Sequence, residues 1–169
     1  MTTAPDLSIV VPAYNEAGRI VETLEAIDGY LGQRGSSYEL IVVADGNDGT
    51  REKAQEFAAR SKAPIQVRGS GARGGKGRGI REGVALSSGR IVGFVDADYK
   101  TPIEEIEKVL PWLQDGYDVA IGSRATSESR IEVPQPLYRR NGSRAFGSSG
   151  SRSQAGPRVL MSACSAPAS

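Results

Sequence analysis

The chain has 169 residues, 38% hydrophobic and 24% charged, so it can bury one core and is too short for two full domains. It has no His and a single Cys, Cys164, which excludes a Ser-His-Asp triad, an imidazole base, His-ligated zinc, an intrachain disulfide and a thiolate cluster. The net charge of +1 argues against nucleic acid as a partner but is uneven: residues 1–122 hold 14 Lys+Arg against 18 Asp+Glu, and residues 123–169 hold 7 Arg against 2 Glu.

Leu7 to Ala13 is an Ile- and Val-rich run that reads as a buried strand. From Glu16 to Leu31, Ile20, Leu24, Ile27 and Leu31 follow one another at spacings of 4, 3 and 4, the pattern of an amphipathic helix. A strand is expected over Tyr38 to Ala44, a helix over Thr50 to Arg60 and a short strand over Pro64 to Val67. A glycine-rich stretch, Gly69 to Gly79, precedes a helix over Ile80 to Leu86 and a strand over Arg90 to Val95. Pro102 opens the next helix, and Tyr117 to Ile121 is the strand after it.

Strands alternating with helices predict an α/β fold with a doubly wound, mostly parallel sheet flanked by helices. Ligands of such sheets sit beyond the carboxyl ends of the strands. From Ser148 to Ser169, 15 of 22 residues are Ser, Ala, Gly or Pro, and neither a helical nor a strand period survives. This stretch reads as a disordered or aberrant tail. No apolar run approaches the roughly 20 residues of a membrane span, and residues 1–8 lack a basic start followed by an apolar stretch. A cytoplasmic location is expected.

Chemistry is therefore sought just after each strand. After the first comes Pro12-Ala13-Tyr14-Asn15-Glu16. This segment either stacks on and hydrogen-bonds a heterocyclic base or is a turn with Asn15 as an N-cap. After the second, Asp45 is an acceptor at the strand end, while Asp48 or Thr50 reads as the cap of the next helix. After the fourth, Asp96-Ala97-Asp98 is either a pair of carboxylates gripping a hard cation or a polar turn.

Gly69-Ser70-Gly71-Ala72-Arg73-Gly74 matches G-x-G-x-x-G, with Asp96 about 20 residues on, but a dinucleotide fingerprint belongs at the first strand-helix turn, not after the third strand. A P-loop also fails, because Gly77 follows Lys76 where Ser or Thr is required. The stretch either presents Arg73, Lys76 and Arg78 to a diphosphate or is a solvated flexible loop.

In order and spacing, Val10-Val11-Pro12-Ala13-Tyr14-Asn15-Glu16, Asp45-Gly46-Asn47-Asp48-Gly49-Thr50, Gly75-Lys76-Gly77, Val95-Asp96-Ala97-Asp98 and Gly122-Ser123-Arg124 resemble the family-2 inverting glycosyltransferases. Within that family the chain is most similar to the polyprenyl-phosphate branch, the dolichyl-phosphate mannose and glucose synthases. The resemblance implies a Rossmann-like GT-A fold, a UDP- or GDP-linked sugar donor, a polyprenyl phosphate acceptor, Mg²⁺ or Mn²⁺, and a peripheral position on the cytoplasmic face of a membrane.

It implies that Pro12, Ala13, Tyr14 and Glu16 line the base and ribose pocket and that Asp45 contacts the base. Asp96 faces the ribose and nucleotide, and Asp98, with Asp96 beside it, binds the metal. Lys76 lies near the nucleotide, Arg124 by the diphosphate, and Arg139 and Ser143 at the acceptor phosphate. The glycosyltransferase domain then occupies residues 1–147, with an incomplete acceptor side, and residues 148–169 are the tail.

The implied chemistry suits a chain without His. A lipid phosphate is already an anion, so attack on the anomeric carbon needs no general base and depends on charge stabilisation and positioning. Two departures stand out. Ala44-Asp45-Gly46-Asn47 replaces the common Asp-Asp-Gly-Ser, and Lys100 stands where mannose synthases often place a metal-binding Gln. Competing readings are a saccharide acceptor with Glu128 or Glu132 as base, a nucleotide-sugar-binding remnant without turnover, and, more distantly, an NAD-dependent dehydrogenase.

Overall fold

A computed structural model describes residues 4–121 and the backbone of Arg158–Met161. The elements follow one another as β1 (Leu7–Tyr14), α1 (Ile20–Arg34), β2 (Tyr38–Asp45), α2 (Thr50–Arg60), β3 (Ile65–Arg68), α3 (Lys76–Leu86), β4 (Ile91–Phe94), a short 3₁₀ turn (Ile103–Glu105), α4 (Ile106–Gln114), β5 (Val119–Ile121) and β6 (Arg158–Met161). They build one sheet of order β3-β2-β1-β4-β6-β5 in which every pairing is parallel.

The central strands β1, β2 and β4 are buried on both faces, which is why they are continuous apolar runs. Side chains alternate along β1: Ile9 and Val11 join Ile20, Leu24, Ile27 and Leu31 of α1 in the larger core. Val10 turns to the other face, with Ile41, Val43, Val92 and Phe94, where Ile80 and Val84 of α3 cover it. β1 lies between β2 and β4, so the strand order reverses there and the loops after β1 and β4 part to opposite sides. That is the place where doubly wound sheets open a crevice for ligands.

Three elements differ from the sequence reading. α1 starts at Ile20 rather than Glu16, because residues 16–19 form a turn in which the Glu16 carbonyl accepts the amides of Arg19 and Ile20 at 2.9 Å each. α3 starts at Lys76 rather than Ile80. Its early turns hide their period because the face toward β1 is made of glycine: a Cβ on Gly79 would lie 3.3 Å from Pro12 Cβ, and one on Gly83 would collide with Val10.

The third difference corrects the reading of residues 148–169 as lacking a strand. Within them Arg158–Met161 forms β6, pairing with Ile91–Phe94 on one side and Val119–Ile121 on the other. Three consecutive apolar residues in a Ser- and Ala-rich setting are too few to display a period. Among the described residues no helix is long and apolar enough to cross a membrane.

Candidate functional site

The carboxyl ends of β1 and β2 are in register, Tyr14 beside Asp45. Beyond them the two loops are bolted together. The Glu16 amide donates to Thr50 Oγ1 at 2.8 Å and the Ala17 amide to Asp48 Oδ2 at 3.0 Å. Asp48 Oδ1 in turn accepts the Thr50 amide at 3.0 Å and its hydroxyl at 2.5 Å, and Lys53 Nζ donates to the Ala17 carbonyl at 2.8 Å.

Asp48 and Thr50, read from the sequence as a helix cap, are thus a brace that sets the position of Glu16. The residue at the N-cap of α2 is Gly49. Asn15 is likewise no cap, since α1 is entered from Arg19; Asn15 has φ 54, a left-handed turn conformation that Asn tolerates. Burial pushes the Glu16 carboxyl above its ordinary range, and the nearby Asp98 and Asp48 charges add to this against Arg19.

Asp45 is almost fully enclosed, and its two oxygens organise the glycine-rich loop. Oδ1 accepts the Ser70 amide at 3.1 Å, Oδ2 the Gly74 amide at 2.8 Å, and Arg78 Nη2 approaches both oxygens at 2.7 and 2.9 Å. Burial alone would raise the Asp45 pKa, but the Arg78 hydrogen bond and the two amides outweigh it and hold the carboxyl below its usual range. The loop is drawn tight against β2: Gly69 has φ 128, and a Cβ there would collide with the Ala44 carbonyl.

Of the three cations expected to face a diphosphate, Arg78 therefore holds Asp45, and Arg73 lies over the Tyr14 ring at 4.8 Å from its centroid. Tyr14 is 42% exposed at the strand end. Pro12 and Ala13 sit inside β1, Ala13 in the core and Pro12 against α3.

The third cation, Lys76, opens α3 and reaches Asp96 Oδ1 at 2.5 Å, with its ammonium 5.3 Å over the Phe94 ring. Asp96 and Asp98 flank Ala97, whose carbonyl is fastened to α1 by the Thr23 hydroxyl at 2.8 Å. Tyr99 follows in a left-handed conformation, φ 49, with its amide on the Asp96 carbonyl at 3.0 Å. Asp98 pairs with Lys100, Oδ2 to Nζ 2.8 Å. Burial pushes Asp98 upward, and the Lys100 hydrogen bonds, with Arg19 nearby, more than reverse the shift.

Among the described residues no three metal-capable side chains cluster. Two carboxylates alone fit a hard cation that completes its shell on phosphate oxygens and water rather than in an all-protein cage. Arg124, Arg139 and Ser143, with Glu128 and Glu132, lie outside the described residues. The sequence carries no signal for the roles of Ser70, Gly74 and Thr23. Ser70 and Gly74 on Asp45, and Thr23 on Ala97, are contacts between elements far apart in the chain, whereas Lys100 and Asp98 are two residues apart on one loop.

The chain has known relatives. The model of the glycosyl transferase family 2 matches residues 8–166. The chain belongs to glycosyl transferase family 2. This family-2 domain is 36% identical over 135 residues to a dolichol-phosphate mannosyltransferase of Pyrococcus furiosus, covering 79% of the chain and 37% of that protein. It is 32% identical over 149 residues to a dolichyl-phosphate beta-glucosyltransferase of Drosophila melanogaster, covering 79% and 45%.

Among solved structures, a mannosyltransferase of Pyrobaculum calidifontis in complex with GDP-Man and Mn²⁺ superposes with a TM-score of 0.59 at 26% identity, over 72% of the chain and 36% of that structure. The family-2 domain thus has the GT-A, Rossmann-like fold, and it spans less than half the length of these relatives.

Proposed function

We propose that this chain binds a UDP- or GDP-linked sugar across the ends of β1, β2 and β4 and forms the donor half of an inverting transfer to a polyprenyl phosphate at the cytoplasmic face of a membrane. The observation that carries the reading is the alignment of strand ends at the switch point of the sheet: β1 ends at the exposed Tyr14, the adjacent β4 leads into Asp96-Ala97-Asp98, and Lys76 reaches Asp96. A base stacks on an exposed ring, and a diphosphate needs cations beside it. The dolichyl-phosphate names of the relatives favour the lipid phosphate as acceptor.

Asp98 and Asp96 would hold Mg²⁺ or Mn²⁺, which when bound supplies charge neutralisation for the leaving diphosphate. Lys76, fixed by its helix start and by Asp96, adds a second positive charge there. Arg124 would serve the diphosphate, and Arg139 and Ser143 the acceptor phosphate. The acceptor's phosphate oxygen forms the new bond to the anomeric carbon as the bond to the diphosphate breaks, and the leaving group takes the electron pair. Because the attacking oxygen is already ionised, no side chain has to remove a proton. The rate then rests on orientation and on electrostatic stabilisation.

Calorimetry with GDP-mannose and UDP-glucose, each with and without Mn²⁺, tests the donor site. Saturable heat that strengthens with Mn²⁺ is expected, and no heat in any of the four titrations would refute the reading. Transfer of radiolabelled sugar to a polyprenyl phosphate tests the acceptor: binding of the donor without product would make the chain a nucleotide-sugar-binding remnant.

A further inference from the structure

The two carboxylates of Asp96-Ala97-Asp98 each carry their own ammonium group, and the two ammonium groups are held differently. Lys76 is the first residue of a helix, lies over Phe94 and is 32% exposed. Lys100 stands on the loop after β4, is 56% exposed, and reaches back two residues to Asp98, whose other oxygen accepts the Lys100 amide at 3.4 Å. Its four-carbon stem can swing while the backbone stays in place.

A hard cation arriving at Asp98 meets a positive charge already within 2.8 Å of the oxygen it would take. Two cations on one carboxylate repel, so the divalent ion must displace Lys100. The displaced ammonium costs least where another anion is waiting, and a diphosphate bound by the same ion is such an anion.

Building on the donor reading above, we propose that Lys100 is an exchangeable counter-ion of the metal-binding carboxylate. It holds Asp98 in the donor-free chain and passes to the donor's diphosphate when a divalent cation takes its place. Cation and diphosphate then bind as a coupled pair, each strengthening the other by the same factor.

The full chain is titrated with Mn²⁺, followed by the electron paramagnetic resonance signal of the free ion, with and without UDP or GDP. Lys100→Met, which removes the charge and adds no oxygen ligand, is expected to raise the Mn²⁺ affinity of the nucleotide-free chain by about fivefold or more, since one opposing charge is gone. It should also lower nucleotide affinity at saturating Mn²⁺, where Lys100 faces the diphosphate, and so shrink the strengthening that nucleotide gives to Mn²⁺. Lys108→Gln, which removes an exposed lysine paired with Glu105, should change none of these.

Unchanged Mn²⁺ affinity in Lys100→Met overturns the proposal. So does a strengthening of Mn²⁺ by nucleotide that is the same in both chains. If neither UDP nor GDP binds the wild-type chain under any condition, the donor reading fails. The transfer to the diphosphate then fails with it, and the Mn²⁺ titration without nucleotide still decides whether Lys100 competes for Asp98.

Discussion

The guanidinium of Arg78 sits 2.7 Å from the carboxylate of Asp45, a side chain only 6% exposed, and together with the Ser70 and Gly74 amides it fastens the glycine-rich loop to the end of β2. Asp45 is therefore the internal anchor of a loop that carries Arg73 to the Tyr14 ring. Replacing it leaves two amides and a cation without their acceptor. Asp45→Ala is expected to cost about 2–4 kcal/mol of folding stability, read from urea denaturation. Arg78→Ala should cost less, since the carboxylate keeps its two amide donors and Arg78 is partly in water.

The same contacts set an acid limit. Asp45, Asp98 and Glu39 all have native pKa values held below the ordinary carboxylate range by hydrogen bonds that outweigh burial. A group whose pKa is lower in the folded chain stabilises it above the unfolded value and loses that contribution as pH falls through the native one. Glu16 runs the other way: its raised pKa favours the fold at low pH and is a liability once pH rises past it. Asp6 and Asp48 are lowered as well, chiefly by hydrogen bonds from Ser37 and Thr50, so five lowered carboxylates oppose one raised one and stability should fall between about pH 5 and about pH 3. Urea midpoints across that range measure the slope, which Asp45→Asn should flatten.

The sheet was legible because its central strands are buried on both faces and so are continuous apolar runs. The crevice followed, since Tyr14, Asp45 and the Asp96-Ala97-Asp98 group stand at strand ends that any doubly wound sheet aligns. What was not legible has a common physical origin. Asp45 finds Arg78 33 residues away, and nothing in either residue's neighbourhood announces the pair. The first turns of α3 are written in glycine where an apolar period was sought. β6 has meaning only as a strand between β4 and β5, an assignment made by long-range pairing.

Gly83 is a second such case. Glycine inside a helix ordinarily weakens it, and Gly→Ala gains about 1 kcal/mol. Here an added methyl would run into Val10 of β1, within a face closed by Ile80 and Val84. Gly83→Ala is accordingly expected to destabilise by about 1–3 kcal/mol, the cost of overpacking, and a gain in the thermal midpoint would disprove the close approach.

At the opposite end of β1 from the site, the buried Glu39 carboxylate ties three segments together. Its Oε1 accepts the Ser8 hydroxyl at 2.6 Å, the Ser88 amide at 2.7 Å and the Ser88 hydroxyl at 2.9 Å, while Ser8 Oγ accepts the Gly89 amide at 2.8 Å. Glu39→Ala strands these donors and should cost about 2–3 kcal/mol. Glu39→Gln keeps an acceptor oxygen and should cost less. Because the network lies away from the crevice, nucleotide affinity measured well below the unfolding midpoint should stay unchanged in both variants.

Tyr14 calls for the reverse pattern. It ends β1, is 42% exposed and packs its face on the Arg73 guanidinium, so its ring contributes little to the core. Tyr14→Ala should leave the denaturation midpoint nearly unchanged. If a nucleobase stacks on this ring, the substitution should weaken UDP or GDP binding by about 1–3 kcal/mol, the usual worth of one base on one aromatic face. Tyr14→Phe keeps the face and removes only the hydroxyl, and its affinity should lie close to that of the unaltered chain. The Arg73 guanidinium lies over one face of this ring, and a base stacking on that face has to move it aside. Arg73→Ala therefore should not abolish binding, whereas Tyr14→Ala with undiminished nucleotide affinity would show that the base lies elsewhere along the crevice.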